Sequence, residues 1–177
     1  MQPLARVQDY LEVNLVQPLR RRPDRDGWRW IGLSAAYGAV ALTIVLGTGL
    51  LQLGTPPLWE LFVFPLLLIL YPSLIEECVF RGLFMPQSLA SQPAKRQVFV
   101  VVGSTALFVA MHPLNHWLIG LSDTSAFTDP VFLVIVALLG LTCAMQRLKT
   151  GSLWLPVLTH WATVVVWNLF FGRDLSF

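Results

Sequence analysis

Residues 58–84 read L-W-E-L-F-V-F-P-L-L-L-I-L-Y-P-S-L-I-E-E-C-V-F-R-G-L-F. A helix needs about 20 apolar residues to cross the hydrocarbon core of a bilayer, and this run is long enough. Near its end, however, it carries Glu76, Glu77 and Arg81. A charge at the centre of a membrane helix costs at least about 2.5–3.5 kcal/mol, so such residues normally face a bundle interior and mark a functional site. Pro65 and Pro72 also interrupt the run. Proline removes a backbone donor, which a membrane helix tolerates when neighbouring groups re-satisfy the freed carbonyl.

The rest of the chain agrees with a membrane setting. Of 177 residues, 55% are hydrophobic and 12% charged, with a mean hydropathy of +0.65. Soluble domains are about 25% charged. Further apolar stretches lie at 31–53, 98–119, 131–145 and 153–171. The pattern predicts an all-α, polytopic bundle of about five transmembrane helices, with residues 31–177 as one membrane domain. Residues 1–30 are too polar to span. They form a basic N-terminal segment, in which 3–16 is expected to be a short amphipathic helix at the membrane surface. Cys78 and Cys143 both sit in apolar runs and are read as structural thiols rather than a disulfide framework. The net charge of +2 gives no reason to expect a nucleic-acid partner.

Lysines and arginines set the expected orientation. Arg6, Arg20, Arg21, Arg22, Arg25 and Arg29 precede the first stretch, Lys95 and Arg96 follow the second, and Arg147 and Lys149 follow the fourth. The connections 54–57 and 120–130 have none. Strict alternation is what the positive-inside rule demands of five spans with a cytoplasmic N-terminus and an external C-terminus. The tryptophans near span ends, including Trp28, Trp30, Trp59, Trp117 and Trp154, read as an interfacial belt.

Glu77 and Arg81 are one helical turn apart and can pair. Glu76 is rotated about 100° from Glu77, so it can face different surroundings. The three histidines of the chain, His112, His116 and His160, all fall in or beside apolar runs. At about 1.5 Å per residue, Glu76 and His160 lie roughly 12 Å inside their spans and His112 roughly 20 Å inside its own. Glu76, His112 and His160 can therefore converge from three helices in the inner half of the membrane. His116 is expected nearer the outer boundary, in a structural role.

These residues resemble a known family. E-E-C-V-F-R at 76–81 is similar to the E-E-x-x-x-R motif of the CAAX-protease and bacteriocin-processing (CPBP) intramembrane proteases, which are of glutamic type. F-V-A-M-H at 108–112 is similar to their F-x-x-x-H motif, and L-P-V-L-T-H at 155–160 looks like the approach to their third histidine. The resemblance covers about residues 60–171. It implies an endopeptidase in which Glu76 is the general base, His112 orients the water and His160 donates to the oxyanion, with Glu77 and Arg81 supporting. The family pattern commonly has Asn or Asp four residues after the last histidine, where this chain has Val164; Asn168, two turns on, is the candidate substitute.

Other chemistries stay open at this stage. Glu76, His112 and His160 could instead hold zinc, as three ligands with an open position. No H-E-x-x-H is present, and a metal-free site is favoured. A non-catalytic scaffold or immunity-type binding protein is a second reading, and a small transporter a third, although no repeated half is visible. The expected partners are the bilayer and a membrane-associated peptide or protein substrate, of prenylated type, and the expected location is a bacterial inner or other internal membrane.

Overall fold

The computed structural model describes residues 3–25, 27–49, 55–119 and 126–171. Among these residues there are helices and turns but no strand. Four helices are long and apolar enough to cross a membrane: Gly27–Thr48, Leu58–Leu83, Ala94–Leu118 and Pro130–Thr150. The shorter apolar helix Trp154–Phe170 follows. They are called here the first to fifth spans. The fold is an all-α polytopic bundle, as the hydropathy pattern requires.

The fourth span is the axis of the bundle. Its apolar window is 61% buried, against 11% for each of the first two spans. The first, third and fifth spans all pack on it, and the fifth packs in turn on the second. Outward faces are apolar rather than polar: Phe62, Leu66, Val98, Phe99, Trp117 and Leu118 are all exposed. A soluble protein would not leave so much contiguous apolar surface in water, whereas lipid solvates it.

Local signals set the ends of the fourth span. Asp129 caps its start, its Oδ1 accepting from the Val131 and Phe132 amides, and Pro130 occupies the first turn, where a missing N–H costs nothing. Its end is Gly151, in the left-handed region at φ 66°, with the Gly151 amide donating to the Arg147 carbonyl. Hydropathy places this end near 145, but the helix continues to Thr150. The polar residues that end the apolar run, Gln146 and Arg147, are buried and hydrogen-bonded inside the bundle rather than lying in a turn. The first span ends at Gly49, also left-handed, and the rest of the expected stretch lies outside the described residues.

The N-terminal segment is helical over Pro3–Leu11 and, through a wide turn at Glu12–Val16, continues to Arg20. Leu4, Val7 and Leu11 lie exposed along it, one face at helical spacing. The segment is tied to the bundle by main-chain capture. Leu153 N donates to the Pro18 carbonyl, Trp154 Nε1 to that of Leu19, and Ser152 Oγ to that of Arg21. Trp154 therefore tethers this segment to the bundle. These contacts gather the basic residues of the N-terminal segment and the 151 turn at one end of the bundle.

Candidate active site

The second span positions the site because its backbone is irregular. Helical geometry breaks at Tyr71 (φ −133°, ψ 127°). Pro72 cannot donate to the Leu68 carbonyl, and Ser73 Oγ does so instead at 2.8 Å. Trp161 Nε1, from the fifth span, takes the Pro65 carbonyl at 2.7 Å. After a short α-helical turn at Ile75–Glu77 the chain widens again over Cys78–Leu83. Wide turns of this kind leave carbonyls out of the regular ladder and recur at functional sites. Each is claimed by another segment: Phe80 by Ser104 Oγ (2.7 Å), Arg81 by Arg147 Nε (3.0 Å) and Leu83 by Tyr10 Oη (2.5 Å).

Glu77 is the centre of the polar cluster. Its Oε1 accepts from Arg81 Nη1 at 3.2 Å and lies 3.0 Å from His160 Nδ1. Both Glu77 and Arg81 side chains are fully buried. A buried pair is stabilised when its remaining valences are used; here Glu77 Oε2 and Arg81 Nε have no hydrogen-bond partner among the described residues, but other atoms of the pair do. Arg81 Nη2 donates to the Gly140 carbonyl at 2.9 Å, and the guanidinium carbon stacks 4.4 Å from the centre of the Phe108 ring. Gly140 makes this approach possible, since a β-carbon there would come within 2.9 Å of Thr105 Cγ2 and 3.3 Å of Arg81 Nη2.

The hydrogen-bond partners assign the ring tautomers. A carboxylate held by arginine can only accept, so Nδ1 of His160 carries the proton and Nε2 is turned to Glu76, 3.8 Å from its Oε2. Glu76 is mostly buried, and Oε2 has no hydrogen-bond partner among the described residues. His112 Nδ1 lies 2.9 Å from the Phe108 carbonyl, which likewise must accept, leaving Nε2 of His112 for other work. Phe108 packs edge-on to both imidazoles, at 5.1 Å from His112 and 5.6 Å from His160, and Phe127 and Phe132 enclose His112 further.

Glu76, Glu77, Arg81 and His160 are thus in one cluster, and His112 joins it through Phe108 rather than by a hydrogen bond among those described. Asn168 donates its Nδ2 to the Val164 carbonyl of its own helix. Cys143 is buried against the Pro156 carbonyl, and Cys78 is half-buried. The contact that spacing did not foresee is Glu77 with His160, because it joins residues 83 positions apart. Among the described residues no three His, Cys, Asp or Glu side chains converge as metal ligands. His160 spends Nδ1 on Glu77 and His112 spends Nδ1 on backbone, which fixes both rings and leaves Nε2 of each unengaged by the bonds described.

Comparison with protein families gives a match over more than half of the chain. The model for type II CAAX prenyl endopeptidase Rce1-like proteins covers residues 57–166, from the start of the second span to the end of the regular α-helix in the fifth. Neither the curated proteins nor the solved structures compared yield a match.

Proposed function

Because this chain belongs to the Rce1-like family of type II CAAX prenyl endopeptidases, we propose that it hydrolyses a peptide bond of a membrane-associated, prenylated-type substrate with water activated by Glu76. The observation that carries this reading is the pairing of Glu76 Oε2, mostly buried and without a hydrogen-bond partner, with His160 Nε2 at 3.8 Å. That separation is too long for a direct bond. A water seated between the two atoms would hydrogen-bond to both.

In the proposed cycle Glu76 takes a proton from this water as its oxygen bonds to the scissile carbonyl carbon. The carbonyl becomes an oxyanion, to which His160 would donate from Nε2 after taking up a proton from solvent. The C–N bond then breaks, the proton held by Glu76 passes to the leaving amine, and a carboxylic acid and a free amine result. Glu77 does not touch substrate in this scheme. It fixes the tautomer and plane of His160, as a carboxylate does behind a catalytic imidazole. Arg81 holds Glu77 in place.

The alternation of basic connections supports placing the N-terminus and the 84–93 and 151 connections in the cytoplasm, in a multi-pass membrane protein. A scaffold or immunity-type protein would need none of the Glu76 chemistry. The deciding experiment is cleavage of a prenylated peptide by purified protein and by Glu76→Gln. Loss of cleavage with unchanged thermal unfolding supports the proposal; retention of cleavage overturns it.

A further inference from the structure

At the basic end of the bundle, away from the carboxylates, lies a cavity of about 140 Å³ between the N-terminal segment, the 84–93 connection and the end of the fourth span. Its charged lining is entirely cationic among the described residues. Arg147 is 3% exposed, its Nη1 donates to Gln87 Oε1 at 2.6 Å, and its Nη2 has no partner among the described residues. With Oε1 engaged, Gln87 presents Nε2, which lies 2.9 Å from where a β-carbon of Gly151 would be. Arg21 Nη1 lies at the same distance from that point, so two donors converge over the bare α-carbon of Gly151. Lys149 also lines the cavity, and no acidic residue does among those described.

A buried guanidinium with an idle N–H, beside a second guanidinium, is unfavourable unless an anion sits between them. The convergent donors match an oxyanion with several acceptor oxygens. The remaining lining is apolar, Met85, Leu89 and Leu148 among it, apart from Thr150, whose hydroxyl donates to the Gln146 carbonyl. The neighbouring N-terminal helix exposes Leu4, Val7 and Leu11, as a helix seated at headgroup depth would. We propose that this cavity is a binding site for the phosphate headgroup of an anionic phospholipid, which would lock the N-terminal segment onto the ends of the second and fourth spans.

The test uses the full chain in uncharged detergent, with thermal unfolding as the readout, so it does not depend on peptide cleavage. Dihexanoylphosphatidylglycerol should raise the unfolding temperature saturably, and added salt should weaken the effect. Dihexanoylphosphatidylcholine should leave it unchanged. Arg21→Gln, at an exposed side chain whose loss does not threaten the core, should weaken the apparent affinity by about tenfold. Arg147→Lys, which keeps the charge but not the fork, should weaken it in the same direction. The proposal is overturned if the zwitterionic lipid works equally well, if inorganic phosphate alone at the same concentration reproduces the shift, or if Arg21→Gln responds as the wild type does.

Discussion

Glu77 Oε1 lies 3.0 Å from His160 Nδ1 while also receiving Arg81 Nη1. One carboxylate oxygen thus couples the second span to the fifth, and the first glutamate of the adjacent pair is left to face His160 Nε2.

The two glutamates should fail differently. Glu76→Gln should lower peptide cleavage by about 10²–10⁴-fold, the usual contribution of a general base, and leave thermal unfolding in detergent near the wild-type value. Near-wild-type turnover in that variant would remove Glu76 from the reaction.

Glu77→Gln should lose stability as well as activity. It leaves the fully buried Arg81 without its counter-charge, and breaking a buried pair from one side costs about 3–5 kcal/mol. The double variant Glu77→Leu with Arg81→Met should unfold at a higher temperature than Glu77→Gln while remaining inactive. If the double variant is the less stable, the pair holds the fold together by more than charge balance.

Gly140→Ala tests the approach of the fourth span to Arg81. The new methyl meets Thr105 Cγ2 at 2.9 Å and the Phe108 ring at 3.3 Å, so overpacking should cost about 1–3 kcal/mol. Activity should fall with it, because Arg81 loses its carbonyl partner. Unchanged unfolding and cleavage would mean that these neighbours yield freely.

Chelation addresses cofactor dependence. With Glu76 supplying basicity and His160 supplying a donor, treatment with EDTA or 1,10-phenanthroline should leave cleavage in detergent unchanged. One stoichiometric zinc, whose removal abolishes cleavage and whose return restores it, would overturn the metal-free mechanism.

Orientation can be read independently of chemistry. A reporter domain inserted after Pro57 should be found outside the cytoplasm, and one inserted between Gln92 and Pro93 inside. The reverse result would invert the whole arrangement and put the basic cavity in the wrong leaflet.

Much of this architecture was legible in the sequence, for definite reasons. Apolar runs report membrane crossing because lipid solvates every outward face, and E-E-x-x-x-R reports the Glu77–Arg81 pair because its geometry is set by a single helical turn. What hydropathy concealed was polarity used internally. Gln146 and Arg147 ended the apolar run in sequence but not the helix in space, since each buries its polar atoms against other segments. The Glu77–His160 contact and the tether from Trp154 to Leu19 depend on how distant segments meet, which no local spacing encodes. The role given to Asn168 rested on its position two turns past His160, and its amide is turned to its own backbone at Val164.

The irregular carbonyls of the second span carry one more implication. Trp161, Ser104, Arg147 and Tyr10 each grip this helix by its main chain. A grip on backbone is blind to the residue it holds. These four bonds therefore do not depend on which side chains stand at positions 65, 80, 81 and 83, although Phe80 and Arg81 add side-chain contacts of their own. Through them the rotation of the carboxylate-bearing helix is keyed from outside, by four other segments, much as a shaft is indexed by its bearings. Substrate preference could drift through the side chains of the second span without shifting the angle at which Glu76 meets His160.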